Sequence, residues 1–317
     1  MSDPDRPLHV AVGVVLDADD RVLTALRPDH LHQGGLWEFP GGKVEAGETV
    51  CEALQREFRE ELDLHIDIGD CSPLQKILYR YPEKSVLLDV WMVNRITGTA
   101  TGLEGQILRW QALGELQARR FPPANLPIIK TLQLPRRIAI TPPGVSVAEI
   151  ARRLPRLQAA GVGILQLRQP DLDPRDRSLM AAELAGACRE QGIRLMVNGD
   201  PAQPVGPVAG LHVNSRHLMA LRARPVAPDV LFSAACHNLV ELQQAAVQGV
   251  DFAILSPVKP TATHPDSPVL GWDGFKTMAN AVSLPVYALG GLQDSDLDFA
   301  RQAGAHGIAA ISAYWDC

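Results

Sequence analysis

The sequence has few cysteines, no long apolar run and no excess of basic residues. The five cysteines among 317 residues form no Cys-X-X-Cys pair, which argues against a disulfide framework or a zinc site and is typical of a reduced intracellular protein. No apolar run is long enough to span a bilayer, and the first residues lack the basic and apolar segments of a secretion signal. We therefore expect a soluble, cytoplasmic protein that has no membrane partner.

Acidic residues outnumber basic ones, and the excess lies in the first part of the chain. The formal net charge is −6. Residues 1–135 contain 20 Asp and Glu against 14 Lys and Arg, whereas the rest of the chain has 16 of each. A negative surface disfavours a nucleic-acid polymer as a partner and suits a site that binds cations.

One acidic stretch in this first part carries a functional pattern. Glu57, Glu60 and Glu61 stand at positions i, i+3 and i+4, which share one face of an α-helix. Carboxylates crowded in this way repel one another unless a cation neutralises them, and hard oxygen ligands suit Mg²⁺ or Mn²⁺. The alternative is the solvated face of an ordinary surface helix.

A sharp turn, Phe39-Pro40-Gly41-Gly42, precedes the acidic stretch. Its glycines allow the backbone to come close to an ion or a phosphate. Glu48 and Arg56 are spaced so that they can pair and hold this turn against the helix. Together with the carboxylates, the turn indicates metal-assisted phosphoryl transfer.

The segment from Gly42 to Leu64 reads GKVEAGETVCEALQREFREELDL and resembles the Nudix box. That pattern is Gly, five residues, Glu, seven residues, Arg-Glu, an apolar residue, any residue, Glu-Glu, any residue, Gly and an apolar residue. Asp63 replaces the second Gly of the pattern, which ends the helix in the left-handed region. Asp tolerates that region better than most residues, so we expect only a small structural cost.

The first part as a whole resembles MutT-type Nudix hydrolases, which cleave oxidised purine nucleoside triphosphates such as 8-oxo-dGTP to the monophosphate and pyrophosphate. The motifs LWEFPGGKVEAGE, LEGQ and FPPANLPI extend the match beyond the box. The resemblance implies an α/β/α sandwich with a mixed sheet over residues 1–132. It also implies a small-molecule nucleotide substrate and a nucleotide-sanitising role that protects DNA replication.

The same resemblance implies roles for individual residues. Glu57 or Glu104 is the general base, and Arg56 and Glu48 complete the catalytic set. The metal ligands are the Gly41 carbonyl and the carboxylates of Glu57, Glu60, Glu61 and Glu104.

The resemblance further implies a base pocket. Asn125 of the FPPAN motif reads the oxidised base, since its amide both donates and accepts hydrogen bonds. Phe39 walls the pocket and Arg27 meets phosphate. Lys84 stands where the family has a base-contacting Arg, which weakens one contact.

After a proline-punctuated segment, the pattern changes to short apolar strands that alternate with Ala-rich helices. We place the linker near residues 131–137. Eight such alternations predict a (β/α)8 TIM barrel over residues 137–317, with a doubly wound parallel sheet as the alternative. The predicted strands are Ile138–Ile140, Gly163–Leu167, Leu195–Val197, Gly210–Val213, Leu231–Ala234, Phe252–Leu255, Val286–Leu289 and Ile308–Ile311.

This second part resembles the thiamine phosphate synthase family and its thiazole-tautomerase-like branch. The motifs that carry the resemblance are GILQLRQ, LMVNGD, GLHVN, SAACHN, ILSPVKPTATH, YALGGL and GIAAISA. Barrels of this kind bind phosphate in loops after the late strands. The resemblance places that site at Gly290, Gly291 and Ser312, with hydroxyl groups from Thr261 and Thr263.

Several positions depart from the family pattern. Pro170 and His264 stand where the synthase has Lys, and Gly199 and His217 stand where it has Asp, one of which binds Mg²⁺. The tautomerase branch expects a catalytic His near Pro257, and that His is missing too. Without these charges a pyrophosphate is poorly neutralised, so we expect a degenerate barrel that binds a phosphorylated small molecule.

Two alternatives stay open. In one, the chain is a bifunctional thiamine-pathway enzyme, whose first domain hydrolyses thiamine-related diphosphates while the barrel makes thiamine phosphate. In the other, the barrel is only a binding or scaffold module.

Overall fold

A computed structural model describes residues 7–28, 33–203, 206–261 and 268–315. The chain forms two compact units, Met1–Gln133 and Leu134–Cys317. Within the described residues, no helix is both long enough and apolar enough to cross a membrane.

The first unit is built from strands and helices with the following bounds. Its strands are β1 (Leu8–Val15), β2 (Arg21–Leu26), β3 (Trp37–Glu38), β4 (Gly41–Lys43), β5 (Cys71–Arg80), β6 (Ser85–Val93) and β7 (Leu108–Ala112). Its α-helices are α1 (Val50–Leu62) and α2 (Leu126–Leu132).

The strands of the first unit form a mixed sheet and a smaller antiparallel one. The mixed sheet has the order β4-β1-β6-β5, in which β1 and β6 are parallel and the other pairs are antiparallel. The smaller sheet has the order β3-β2-β7. Residues of α1 pack with one face of β1, and residues of α2 pack with its other face. This arrangement is the sandwich with a mixed sheet that the sequence predicts.

Helix α1 has well-defined ends. Thr49 and Glu52 form a capping box at its start, which satisfies two free backbone N–H groups. Asp63 ends it with φ 54° and ψ 34°, and its backbone N–H donates to the Phe58 carbonyl. The expected left-handed conformation at Asp63 is confirmed. Phe58 is fully buried and packs against Gly13, where a Cβ would lie 2.6 Å from its ring.

The second unit alternates strands and helices. Its strands are β8 (Arg137–Ile140), β9 (Ile164–Leu167), β10 (Arg194–Asn198), β11 (Gly210–Val213), β12 (Leu231–Cys236), β13 (Phe252–Leu255), β14 (Val286–Leu289) and β15 (Gly307–Ala310). Its α-helices are α3 (Val147–Ala159), α4 (Pro174–Glu190), α5 (Ser215–Ala220), α6 (Leu239–Val247), α7 (Gly271–Asn280), α8 (Leu297–Gln302) and α9 (Ser312–Trp315).

These strands close into a parallel barrel in which β15 pairs with β8. The predicted (β/α)8 barrel is therefore confirmed, and the doubly wound sheet is excluded. The lower part of the barrel interior is apolar, with Ile138, Phe252 and Tyr287 in one buried cluster. Leu134 belongs to the same cluster, whereas Leu132 is buried in the first unit.

Candidate functional site

Glycines let the acidic helix approach the turn that precedes it. A Cβ on Gly42 would lie 2.1 Å from Glu57 Oε1, and a Cβ on Gly41 would lie 2.1 Å from the Ala11 carbonyl oxygen. Gly41 also has φ +144°, a conformation that other residues rarely adopt. Only glycine therefore fits at both positions, and the Glu57 carboxylate lies directly against the turn.

Arg56 connects the turn to the helix. Its Nε and Nη2 donate to the two carboxylate oxygens of Glu48 at 2.8 and 3.0 Å, and its Nη1 donates to Glu57 Oε1 at 2.8 Å. The expected pair between Glu48 and Arg56 is thus present. A hydrogen bond from Arg56 is the main reason that the pKa of Glu48 is lowered to about 2. A third contact, from Nη2 to the Lys43 carbonyl at 3.0 Å, fixes the guanidinium.

The LEGQ segment is held at the end of α1 by hydrogen bonds. Gln106 donates through Nε2 to the Glu61 carbonyl at 2.9 Å, and its Oε1 accepts from the Glu104 backbone N–H at 2.9 Å. The Leu103 N–H also donates to the Glu61 carbonyl at 2.9 Å. Gln106 therefore holds Glu104 beside the acidic helix, although the two lie more than forty residues apart in sequence.

Several carboxylates act on Glu61. Burial is the largest cause of its raised pKa, which reaches about 8, and the charges of Glu57, Glu104 and Glu38 add to it in that order. Glu60 differs, because its side chain is 62% exposed and lies 3.6 Å from an Arg56 nitrogen. Glu57 and Glu104 thus lie close enough to Glu61 to raise its pKa by their charge, and Glu60 lies at the edge of the group.

The donors of this group fit a divalent cation. A carboxyl group whose pKa is raised by neighbouring carboxylates is one that a cation would stabilise in its charged form. Within the described residues, no three acidic, His or Cys side chains are close enough to form a complete ligand set. Arg56 Nη1 binds one oxygen of Glu57 at 2.8 Å.

A base-sized apolar wall lies in the same unit. Phe39 is 4% exposed and stacks on Phe121, with ring centroids 5.6 Å apart and an interplanar angle of 27°. Asn125 follows on a short 3-10 turn, Pro123–Asn125, and is 9% exposed. Its side-chain amide has no hydrogen-bond partner within the part of the chain that the structure describes. Its amide atoms are not among the fully buried unpaired atoms, so they are open to solvent or to a ligand.

Two other predicted substrate residues have different surroundings. Arg27 forms an ion pair with Glu38 through Nη1, so its charge is partly neutralised before any phosphate arrives. Burial raises the pKa of Glu38, against the effect of Arg27. Lys84 is exposed in the turn between β5 and β6, where its carbonyl accepts the Tyr81 N–H at 2.8 Å.

Sequence reasoning missed Glu38, Gln106 and Tyr81. Glu38 lies inside the LWEFPGG motif and Gln106 ends the LEGQ motif. Their membership of motifs that carry the family resemblance is the signal that could have identified them. Tyr81 carried no such signal. Its hydroxyl interacts with the backbone of Ala124, and burial raises its pKa.

The predicted phosphate residues of the barrel follow three neighbouring strands. Gly290 and Gly291 follow β14 with φ +107° and +64°, and a Cβ on Gly291 would lie 2.4 Å from the Pro260 carbonyl oxygen. Thr261 is next in that loop after β13, and Ser312 is exposed at the start of α9, after β15. All four lie at the carboxyl ends of their strands. Thr263 and His264 lie outside the described residues.

The barrel interior also holds polar side chains that sequence reasoning missed. Gln166 is 3% exposed, and its amide has no partner among the residues that the structure describes. His212 is 3% exposed and its Nδ1 lies 2.8 Å from Ser233 Oγ. Burial lowers the pKa of His212 to about 3, so it is neutral. These residues occupy inward positions of otherwise apolar strands. A polar residue at such a position is the sequence signal by which they could have been found.

The positions that depart from the synthase pattern do not fit a metal site. Gly199 has no carboxylate, and a Cβ built there would lie 3.7 Å from Arg177 Nη1. His217 lies in the first turn of α5, and its N–H donates to Asn214 Oδ1 at 2.8 Å. A guanidinium beside Gly199 repels a divalent cation, so no step is assigned to a metal in the barrel.

Two family profiles match the chain. The profile described as NUDIX domain matches residues 11–131. The profile described as thiamine monophosphate synthase matches residues 138–314, which is more than half of the chain.

Individual relatives divide in the same way. The chain is 37% identical over 128 residues to the 8-oxo-dGTP diphosphatase of Escherichia coli, covering 40% of this chain and 98% of that protein. It is 30% identical over 185 residues to a putative thiamine-phosphate synthase 2 of Aquifex aeolicus, covering 58% and 99%. A thiamine-phosphate synthase of Prochlorococcus marinus is 33% identical over 308 residues, covering 94% of this chain and 84% of that protein.

Proposed function

We propose that this chain, which belongs to the thiamine monophosphate synthase family and carries a Nudix hydrolase domain before that family's barrel, is a pyrophosphohydrolase for oxidised purine nucleoside triphosphates. The preferred substrate class is represented by 8-oxo-dGTP, and the products are the nucleoside monophosphate and pyrophosphate. Nudix hydrolases generally use divalent metal cations, and the cofactor here is Mg²⁺. The proposal joins a similarity to an 8-oxo-dGTP diphosphatase with the geometry of the first unit.

The observation that carries the proposal is the unpartnered amide of Asn125. Asn125 is nine-tenths buried, and the preceding residue, Ala124, lies in the same core as the stacked rings of Phe39 and Phe121. An amide in this position pairs with a purine edge by donating and accepting, while the rings hold the face of the base. A site built in this way rejects bases that leave the amide unpaired.

The reaction is an attack of water on the β-phosphorus of the triphosphate. The bond from that phosphorus to the oxygen of the α-phosphate breaks, and the nucleoside monophosphate leaves. Glu57, Glu60, Glu61, Glu104 and the Gly41 carbonyl would hold Mg²⁺. When bound, Mg²⁺ lowers the pKa of water and neutralises phosphate charge.

The protein's own residues position the reactants. Arg56 holds Glu57 against the turn through its contacts at 2.8 Å. Glu57 or Glu104 accepts the proton of the attacking water. Arg27 exchanges its partner Glu38 for the substrate phosphate, which is consistent with an ion pair at the surface of a pocket rather than deep within it.

The test is a substrate panel with the full-length chain and Mg²⁺. Values of kcat/KM are compared for 8-oxo-dGTP, dGTP and thiamine diphosphate. We expect 8-oxo-dGTP to have the highest value. A preference for thiamine diphosphate would reject this proposal and favour the bifunctional thiamine-pathway enzyme.

For the barrel, we propose binding of a phosphorylated small molecule without thiamine phosphate synthesis. Pro170 and Gly199 supply neither the ammonium group nor the carboxylate that the resemblance calls for at those positions. The Gly290, Gly291 and Ser312 groups offer backbone and hydroxyl donors that need no charge. The full-length chain should therefore form no thiamine phosphate from the pyrimidine diphosphate and thiazole phosphate. Multiple turnover in that assay would establish the bifunctional alternative instead.

A further inference from the structure

Two cysteines lie side by side in the first unit. Cys51 is the second residue of α1 and is 7% exposed, and Cys71 is the first residue of β5 and is half-buried. Cys71 packs against the apolar cluster that contains Leu54 and Phe58 of α1. A hydrogen bond joins the two thiol groups. The two sulfur atoms are therefore neighbours, although twenty positions separate them in the sequence.

The segments that carry these thiols are held against each other. Gln55, one turn after Cys51 on α1, donates through Nε2 to the Ile66 carbonyl at 2.8 Å. The Cys71 thiol donates to the Asp67 carbonyl at 3.6 Å, and β5 pairs with β6 from Cys71 onward. The sulfur atoms of a disulfide bond lie about 2 Å apart. Oxidation thus has to close only the gap between two side chains on segments that are already packed together.

The surroundings of the pair suit neither a catalytic thiolate nor a metal. Burial is the largest cause of the raised pKa of Cys71, which reaches about 12, and the charge of Cys51 adds to it. Burial also raises the pKa of Cys51, with smaller contributions from the charges of Asp89 and Glu52. A nucleophile or a metal ligand has to be a thiolate. Among the residues that the structure describes, no three acidic, His or Cys side chains form a ligand set.

We propose that Cys51 and Cys71 are a redox modification site that forms a disulfide bond when the protein meets a peroxide. Hydrogen peroxide converts the more exposed thiol, that of Cys71, to a sulfenic acid and releases one water molecule. The Cys51 sulfur then attacks the Cys71 sulfur, and the sulfenic oxygen leaves as a second water molecule with the thiol proton. The two sulfurs are oxidised and the peroxide oxygens are reduced. The reaction is slow at neutral pH, because the thiolate is scarce.

The position of this bond determines its effect. It encloses residues 52–70, which include Glu57, Glu60 and Glu61. Closing this loop removes conformations that are open to the unfolded chain, so the oxidised first unit resists unfolding. The bond holds the acidic helix on the sheet under the oxidising conditions that also produce oxidised nucleotides. Only this last consequence rests on the proposed function, because formation of the bond does not depend on the substrate.

The test is peptide mapping of the full-length chain. The chain is treated with excess hydrogen peroxide at mildly alkaline pH, its free thiols are blocked in denaturant, and it is cleaved after Lys and Arg. Cleavage places Cys51 in residues 44–56 and Cys71 in residues 60–76, with one cysteine in each peptide. We expect these peptides to be linked, with the sum of their masses less two hydrogen atoms, and to separate on reduction with dithiothreitol. Cys71→Ser should abolish the link, whereas Cys188→Ser, which removes another buried thiol, is the matched control and should retain it.

Thermal unfolding measures the effect of the bond. Oxidation should raise the Tm of the first unit by at least about 5 °C in the unmodified sequence and in Cys188→Ser. It should leave the Tm of Cys51→Ser unchanged. Each variant is compared with its own reduced form, so any loss of stability caused by the substitution itself does not enter the comparison.

Several outcomes would overturn the inference. The modification site is rejected if the linked peptides are absent, if Cys51 is linked to a different cysteine, or if Cys71 accumulates as sulfinic acid. An unchanged Tm in a chain that carries the link would reject the stabilising effect. Neither measurement uses catalytic activity. Failure here is therefore distinguishable from failure of the proposed pyrophosphohydrolase, which the substrate panel tests.

Discussion

The two units differ in the charges at their candidate sites. In the first unit, Glu57 and Glu104 raise the pKa of Glu61 because carboxylates crowd around a buried position. In the barrel, Arg177 is held by two backbone carbonyls and has no ion pair among the described residues. Carboxylates at the first site attract cations, whereas a guanidinium group at the mouth of the barrel attracts anions.

This difference shows how local charge decides the use of a fold. Both units have glycines that allow a neighbouring segment of the chain to come close, at Gly42 and at Gly291. The neighbouring side chains differ, because Glu57 faces Gly42 and Lys259 lies beside Gly291. A glycine therefore allows close packing in both units, and the charge of the group packed against it differs between them.

Neutralising the carboxylates of the first unit is expected to have the largest effect on activity. Glu57→Gln and Glu61→Gln should each lower kcat for 8-oxo-dGTP by at least about a hundredfold, because an amide binds Mg²⁺ poorly. Initial rates of pyrophosphate release measure this effect, and circular dichroism checks the fold. Glu45→Gln, at an exposed position before the helix, is the control and should retain activity. Near-native turnover in either variant would reject the carboxylate site.

The proposed base pocket belongs only to the first unit, and a substitution there should change substrate selectivity. Asn125→Ala should reduce kcat/KM for 8-oxo-dGTP by about ten- to a hundredfold, as expected for a lost buried hydrogen bond of about 1–3 kcal/mol. The loss for dGTP should be much smaller. Equal losses with the two nucleotides would mean that Asn125 supports the structure and does not read the base.

A smaller effect concerns the position of Glu104. Gln106→Ala removes both hydrogen bonds that hold the LEGQ segment at the end of α1, so kcat should fall by about tenfold while KM changes little. Gln55→Ala is a matched control, since Gln55 also donates from α1 to a backbone carbonyl, that of Ile66 at 2.8 Å. An equal loss of kcat in both variants would show a general effect on the helix.

The smallest expected effect is on stability in acid. The pKa of Glu48 is lowered to about 2 in the folded chain, chiefly by a hydrogen bond from Arg56, from an ordinary value of 4.5. A lowered pKa stabilises the fold above pH 4.5, and this contribution is lost as the pH falls toward 2. Glu48→Gln should therefore lower the Tm of the first unit at pH 6 and have no effect near pH 2. Calorimetric scans across this range measure it, and a Tm difference that does not depend on pH would contradict the ion-pair origin.

Much of the first unit follows from the sequence alone. The i, i+3, i+4 spacing of the glutamates places them on α1, and the pair between Glu48 and Arg56 follows from their spacing along the same segment. Asp63 ends the helix as expected. The residues that form these features are close in sequence, and helix geometry therefore determines where they lie.

The strands of the barrel were also accessible from the sequence, because their apolar runs recur at regular intervals. Gly210–Val213, Phe252–Leu255 and Val286–Leu289 agree with the observed strands, and the other predicted strands differ by one or two residues at their ends. Such shifts are ordinary, since the ends of strands depend on pairing with neighbours.

Contacts between distant residues needed the tertiary structure. Gln106 meets the end of α1, Glu38 adds its charge to Glu61, and Arg177 lies beside Gly199. In each case a loop or strand brings together groups that no periodic pattern relates. The sequence alone determined which helix carries the carboxylates and how many strands form the barrel, because these depend on local periodicity. Only the tertiary structure decided which charges share a site, because electrostatic interaction depends on distance in space and on burial.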